Sequence, residues 1–235
     1  MGPGDAADRT HRAETAIAQS RVVVGYSPYL SNIADLIDGK ERIATGMTRE
    51  EARCRAAIER AYDGEIVALI SSGDSGVYGM AGLSIEMAHR IAPGLTIEII
   101  PGVSAANAAA AAMGAPLMLD YAVISLSDLL VPWDMIRHRL EAVAAADLVT
   151  ALYNPRSNKR IHQIEEAVAI FLRNRPATTP AGVGTAVGLP EARIEITTLE
   201  NLLSLEITMR SMVIIGNTHS QHIDGWFVTP RGYTL

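Results

Sequence analysis

The sequence predicts an α/β protein made of two α/β domains, residues 1–116 and 117–235. Three observations predict it. Short, uninterrupted apolar runs of strand length recur, such as "EIVALI" (65–70) and "SMVIIG" (211–216), as a parallel sheet covered on both faces requires. Amphipathic segments of helical period alternate with them. Turn residues, mostly Gly, Pro and Ser, punctuate nearly every junction.

In the first half, "RVVVGY" (21–26) reads as a strand ending in a turn. The segment 47–64 reads as an amphipathic helix, with Thr48 and Glu51 spaced as a capping box and Gly64 as its stop. The strand 65–70 leads through "SSGDSGVYG" (71–79) into a helix over about 79–92, and "PG" then precedes a strand at 95–100. Residues 101–114 form a tight turn into an alanine-rich helix that Gly114 ends. "APLMLD" (115–120) is the candidate interdomain linker.

The second half has more hairpin character. A strand at 121–127 precedes a helix at 132–146 with Pro132 in its first turn. The strand "DLVTALY" (147–153) turns at "NPRS" into a helix at 158–174. Residues 181–187 and 192–199 read as a strand pair, 211–216 as a buried strand, and "WFVTP" (226–230) as an edge strand.

Composition excludes several function classes. The net charge is −6 and no long basic run appears, which argues against a nucleic acid as partner. Cys54 is the single cysteine, so neither an internal disulfide nor an all-cysteine iron–sulfur cluster is available. The six histidines show no metal-ligand spacing, and no protein-bound metal is expected. The start lacks the apolar region of a secretion signal, and no apolar run approaches the length of a membrane span. A cytoplasmic protein with no membrane or nucleic-acid partner is expected.

The loops that carry chemistry follow strands: "GPGD" (2–5), "SSGDSGVYG", "PGVSAA" (101–106), "LYNPRS" (152–157) and "VGTAVG" (183–188). Strand C-terminal ends share one edge of a parallel sheet, where ligands bind. Small residues there make a backbone-lined pocket suited to a flat or nucleoside-like ligand. There is no Walker loop and no G-x-G-x-x-G opening a helix, and no G-x-S-x-G elbow. For Asp74 two readings stand, a helix cap and a ligand contact. Gly73 and Gly76 are either turn glycines or points of close approach, and Tyr78 and Tyr153 either pack in the core or face a ligand.

Taken in order, "GPGD", "VVVGYSPYL", "SSGDSGVYGMAGL", "IPGVSAANAAAAAMGAPL", "ISLSDLLVPWDMI", "ALYNPRSNKR", "VIIGNT" and "VTPRGY" resemble the tetrapyrrole (corrin/porphyrin) methylases. Within them they are similar to the precorrin-3B C17-methyltransferases of cobalamin biosynthesis. The resemblance covers nearly the whole chain, and "GYSPYL", "SLSDLLVPW", "LYNPRS" and "TPRGY" are its subgroup-specific parts. It implies two α/β domains with the active site in the cleft between them, S-adenosylmethionine (SAM) as methyl donor, a tetrapyrrole substrate and a homodimer. By motif matching, Pro3, Ser72, Gly73, Asp74, Val77, Ser104, Ala105, Asn154 and Gly184 line the SAM site. Asp74, Tyr153 and Asp128 are the implied groups for proton transfer. Tyr78, Arg156, Lys159 and Arg231 border the substrate, the cations serving its carboxylates together with Arg160. The alternatives are another precorrin specificity on the same fold, or a catalytically impaired relative that binds tetrapyrrole or SAM.

Two departures carry expectations. The family has an apolar strand before "GPGD", whereas only Met1 precedes Gly2 here. Either the start is truncated or another segment fills the place. Otherwise the first sheet has an unfilled slot with unpaired ladder groups. Leu189 stands in "VGLP" where relatives commonly carry an arginine, which puts one polar contact in doubt.

Overall fold

The computed structural model describes residues 1–234. The chain forms two compact units, Met1–Ala105 and a second from Ala106 onward. The division therefore falls at the start of the alanine-rich helix and not at 116/117. The packing of that helix explains this. Its Met113 side chain fills the space over Gly182, and its Ala109 lies against Gly184, both in the second unit.

The first unit begins with α1 (His11–Gln19), capped by the Thr10 hydroxyl, which accepts from the Ala13 N–H at 3.2 Å. Then come β1 (Val22–Tyr26), α2 (Ser27–Ser31), β2 (Glu41–Thr45), α3 (Glu50–Tyr62), β3 (Val67–Ile70) and α4 (Ala81–Ile91). The sheet is parallel in the order β2-β1-β3, with Val22 of β1 opposite Glu41 and Val67. Alternation along β1 serves both faces. Val23 clusters with Ile17 of α1, while Val22 and Val24 cluster with Ala57 of α3.

Three sequence expectations change here. The capping box at Thr48 and Glu51 does not form. Thr48 adopts φ 58° and its hydroxyl donates to the Met47 carbonyl, so α3 starts at Glu50 with no side-chain cap. Glu50 and Glu51 in its first turn meet the helix dipole instead. Residues 95–100 form no strand ladder, because no strand lies beside them. The elements α1 and β2 had no sequence prediction. β2 reads "ERIAT" and is mostly exposed, so its edge position leaves little apolar signal.

The second unit is built on α5 (Ala105–Met113), β4 (Gly114–Ala115), β5 (Tyr121–Ser125), α6 (Trp133–Ala145), β6 (Val149–Tyr153), α7 (His162–Leu172), β7 (Pro180–Thr185), β8 (Arg193–Thr198), β9 (Ser211–Ile215), β10 (Gln221–Ile223) and β11 (Trp226–Val228). Its main sheet is mixed, in the order β5-β6-β9-β7-β8. β5 and β6 are parallel, and the remaining pairs are antiparallel. Leu140, Ile164, Phe171, Val183 and Val213 anchor one core between this sheet and its helices. The segment expected as an edge strand is the middle one of a small sheet ordered β10-β11-β4. It gains two partners because Asp224 and Gly225, at φ 47° and 88°, close a hairpin to β10 while β4 pairs on its other side.

Cys54 is buried beside the Ser84 hydroxyl at 3.4 Å, and burial pushes its thiol pKa up. Among the described residues no helix is long and apolar enough to cross a membrane.

Candidate functional site

In the first unit, a pair of main-chain hydrogen bonds and one carboxylate tie three glycine-rich loops together. Gly2 of the "GPGD" turn exchanges both its bonds with Gly73, N–H to O at 3.2 Å and O from N–H at 2.7 Å. Asp74 joins the third loop. One carboxylate oxygen accepts from the Gly76 N–H at 2.8 Å and the other from the Gly102 N–H at 2.9 Å. The carboxylate thus fixes its own turn and clamps "SSGDSG" to "PGVSA". It is not the side-chain cap of α4, for which Met80 precedes the helix without a capping bond.

Two of these positions need glycine. Gly73 has φ 60°, a conformation costly for other residues. A Cβ on Gly102 would sit against the Gly73 carbonyl oxygen, closer than real Cβ atoms approach. Around this clamp the structure gathers Pro3, Ser72, Gly73, Asp74, Ser104 and Ala105, all partly or fully buried. Val77 and Tyr78 stand on the exposed lip of the same loop, and Tyr78 is held at φ 51°. A left-handed tyrosine costs of the order of 1 kcal/mol, so the loop's shape overrides the residue's preference. Asp5 caps the short turn Ala6–Asp8 by accepting from the Ala7 N–H.

Beside this loop, Arg53 is a buried arginine of α3. It donates to the Thr45 hydroxyl at 2.7 Å and the Gly46 carbonyl at 2.9 Å, and lies 5.7 Å from the Tyr26 ring centroid. It thereby fixes the C-terminal ends of β1 and β2 and holds the first tyrosine of "GYSPYL" in place.

In the second unit, the ends of β5 and β6 form another cluster. Asn154, at φ 50°, donates from its side chain to the Ser125 hydroxyl at 2.9 Å. The Tyr153 hydroxyl oxygen accepts from the Ala106 N–H at 3.1 Å, satisfying a donor in the first turn of α5. Asp128 accepts from the Gln163 side chain at 2.9 Å and faces the Arg160 guanidinium at 3.8 Å.

Arg160 folds back rather than reaching outward. It donates to the Leu126 and Asn154 carbonyls at 3.1 and 2.7 Å. Burial lowers its pKa, and Asp128 opposes that shift. A turn in which Ser157 and Arg160 exchange main-chain bonds precedes α7, which begins at His162 rather than at 158. Arg160 therefore braces this loop from within. Among the described residues Arg156, Lys159 and Arg231 form no ion pair with a protein acid.

Two further predicted residues lie in the second unit. Gly184 is buried within β7, where a Cβ would press on Val187 and Ala109. Only its main chain can meet a ligand. Arg231 lines a shallow groove of about 450 Å³ with Leu119, Thr218 and His219. Sequence reasoning missed Gly102 and Ser125. The "PG" after residues 95–100 was an available signal for Gly102, but nothing local marks Ser125. Among the described residues no three His, Cys, Asp or Glu side chains gather into a metal-binding group.

The sequence profile described as tetrapyrrole (corrin/porphyrin) methylases matches residues 1–203. The chain belongs to that family. Among its relatives, the "probable cobalt-factor III C(17)-methyltransferase" of Salmonella typhimurium is 43% identical, over 100% of this chain and 98% of its own length. The "cobalt-factor III methyltransferase" of Priestia megaterium is also 43% identical, over 99% of this chain but only 44% of its own length. This tetrapyrrole methylase thus spans under half of that relative. The crystal structure of the methyltransferase CobJ superposes with a TM-score of 0.92 at 35% identity, covering 97% of this chain and 96% of the other.

Proposed function

We propose that the protein is a SAM-dependent methyltransferase of cobalamin biosynthesis. It methylates C17 of precorrin-3B, or of its cobalt-containing counterpart cobalt-factor III, with contraction of the macrocycle. The observation that carries this reading is the 43% identity to the Salmonella typhimurium protein over essentially both whole chains.

The residues fit a SAM ligand. The three clamped loops contain no lysine or arginine, so they are poorly suited to phosphate. They present main-chain groups and the hydroxyls of Ser72 and Ser104, which suits a nucleoside whose remaining charge is a sulfonium and an amino acid. Pro3, Ser72, Gly73, Val77, Ser104 and Ala105 supply that surface, with Asp74 holding it in shape, and Asn154 and Gly184 contribute main-chain contacts. When bound, SAM supplies a methyl group on an already activated leaving group.

Little covalent chemistry is then required of the protein. Methyl transfer would form a carbon–methyl bond as the sulfur–methyl bond breaks, so these residues would have to hold the donor in line with the acceptor carbon. Positioning and charge complementarity carry most of the barrier reduction. Arg156, Lys159 and Arg231 bind the carboxylates of the tetrapyrrole, and Tyr78 covers its rim. Tyr153 and Asp128 are the groups that hold or move protons during ring contraction.

Purified protein is expected to bind one SAM per chain in a calorimetric titration. It is also expected to add one methyl group, read by mass, to precorrin-3B or to cobalt-factor III when each is supplied separately. Turnover only on a different precorrin would move the specificity elsewhere on the same fold. Binding of both ligands without any methylated product would identify an impaired relative.

We also propose that the enzyme works as a two-fold homodimer. Family membership supports this, as do the exposed apolar residues Leu129 and Leu130, 74% and 91% accessible in the isolated chain. Sedimentation at micromolar concentration should give twice the chain mass, and a monomer there would rule the dimer out.

A further inference from the structure

The turn "GYSPYL" (25–30) sits at the carboxyl end of β1, on the edge of a parallel sheet where ligands bind. Most of its residues are accounted for by building that turn. A Cβ on Gly25 would press on the Leu30 side chain, so the glycine lets α2 close onto the strand. Pro28 stands at the start of α2, where a missing N–H costs nothing. Leu30 is buried with Ile17, Val23 and Ile33, and Tyr29 packs against the same cluster. The Ser27 hydroxyl donates to the Thr45 carbonyl at 3.2 Å. Tyr26 has no such task. It is half-buried, and its hydroxyl makes no hydrogen bond among the described residues. A tyrosine kept for core packing normally places its hydroxyl on a partner.

The surrounding residues hold this ring instead. Tyr29 meets it edge-on, with centroids 5.1 Å apart and planes at 89°. The Arg53 guanidinium lies 5.7 Å from its centroid, within cation–π range. Arg53 is costly where it stands. It is 3% exposed and lies in the first turn of α3, where the helix dipole opposes a cation. Among the described residues it faces no acid. Its donors go to the Thr45 hydroxyl, the Gly46 carbonyl and the Met80 sulfur, at 2.7, 2.9 and 3.3 Å. A well-packed apolar residue in place of a buried cation is often no less stable. Stability therefore does not account for the arginine, but the segments it joins do. They are the carboxyl ends of β1 and β2 and Met80, which directly follows the loop 71–79. The Met80 N–H in turn donates to the Ser71 hydroxyl at 3.3 Å. Arg53 thus sets the Tyr26 ring in register with both strand ends and with the clamped loop.

We propose that Tyr26 is a further substrate contact and that Arg53 is the positioning residue that holds its ring. This contact rests on the proposed methylation of a tetrapyrrole. Such a substrate offers the matching chemistry. It has a flat conjugated face for the ring and peripheral carboxylates that accept from the phenol O–H. A ring already held on two sides loses little freedom when the contact forms. SAM, read by main-chain groups of the clamped loops, does not depend on this ring.

The test uses Tyr26→Phe, Tyr26→Ala, Arg53→Lys and Arg53→Met, with Arg53→Met also made in the Tyr26→Ala background. KM and kcat are measured with precorrin-3B and with cobalt-factor III, SAM affinity by calorimetry, and folding by thermal melts. Tyr26→Phe is expected to raise KM about tenfold and to change kcat by less than about twofold, with SAM affinity and melting like the parent's. Arg53→Met should raise KM by about the same factor in the parent, and by less than about twofold in the Tyr26→Ala background, because it acts through the missing ring. Arg53→Lys should lie between parent and Arg53→Met. A Tyr26→Phe protein with the parent's KM overturns the contact. Equal factors from Arg53→Met in the two backgrounds overturn the positioning role. So does a loss of SAM affinity as large as the rise in KM, which would make Arg53 a structural residue only. If Arg53→Met does not fold, Arg53→Lys in the two backgrounds makes the same comparison. A parent protein that methylates neither tetrapyrrole rejects the proposed function and this contact with it. A parent that turns over, with Tyr26 variants unaffected, rejects the contact alone.

Discussion

Replacing Asp74 by alanine is expected to lower the stability of the first unit by about 3 kcal/mol and to weaken SAM binding more than tenfold. The carboxylate makes charge-assisted bonds to the Gly76 and Gly102 N–H groups. Bonds of this kind are worth roughly 1.5–3 kcal/mol each when partly shielded from water. The Gly76 bond is exposed and lies at the low end, whereas the Gly102 bond is part-buried and dominates. Losing it leaves a donor without a partner where two loops meet. Asp74→Asn discriminates further. Asparagine keeps one oxygen for Gly102 and turns its NH₂ toward the exposed Gly76 N–H, so about 1 kcal/mol is lost and SAM affinity falls only a few-fold. Thermal melts and calorimetry check both variants. If either variant melts and binds SAM like the parent but turns over at least 100-fold more slowly, the carboxylate acts directly on the tetrapyrrole.

Arg175→Met is expected to destabilise the second unit by about 3–5 kcal/mol, more than any change at the binding loops. The guanidinium side chain is fully buried. It donates to the carbonyls of Gly216, Leu148 (2.7 Å) and Val143 (3.4 Å), faces Asp147 at 3.5 Å, and lies 4.6 Å from the Phe171 ring centroid. Burial pushes its pKa down to about 10. That is still far above neutrality, so the group stays charged and depends on these partners. Methionine fills much of the volume but takes the buried donor from the Gly216 carbonyl and the cation from Asp147, while Leu148, Val143 and Asp147 keep only their bonds from Thr150, Leu148 and Thr218. Urea denaturation of the whole chain should show an earlier transition in the variant. A midpoint within error of the parent would mean that water replaces the guanidinium and that these bonds contribute little.

The residues that repeat a period were legible from the sequence. β1, β6 and β9 are apolar runs whose length and composition already specify buried strands, β3 is legible as a strand though it lies half-buried at the sheet edge, and α6 and α7 show a helical stripe. A glycine of the clamped loops was legible as well, because a positive φ leaves few residue choices. Gly73 shows this directly. What the sequence left open depends on partners distant in the chain. Thr48 and Glu51 have capping-box spacing, but the path from β2 into α3 puts Thr48 in a left-handed conformation. Residues 95–100 have strand composition, yet a strand exists only when another supplies its ladder. Asp74 read as a ligand contact, with a helix cap as the other reading. Its two bonds make it a clamp between loops, and one of those partners, Gly102, is 28 residues away. Arg160 looked like a free cation in a basic run, but the carbonyls of Leu126 and Asn154 turn it inward. Local periodicity and backbone freedom are properties of a few consecutive residues, so the sequence by itself determines them. Which donor meets which acceptor is decided by chain segments that only the tertiary fold brings together, and the roles of Asp74, Arg160 and Arg175 are set at that level.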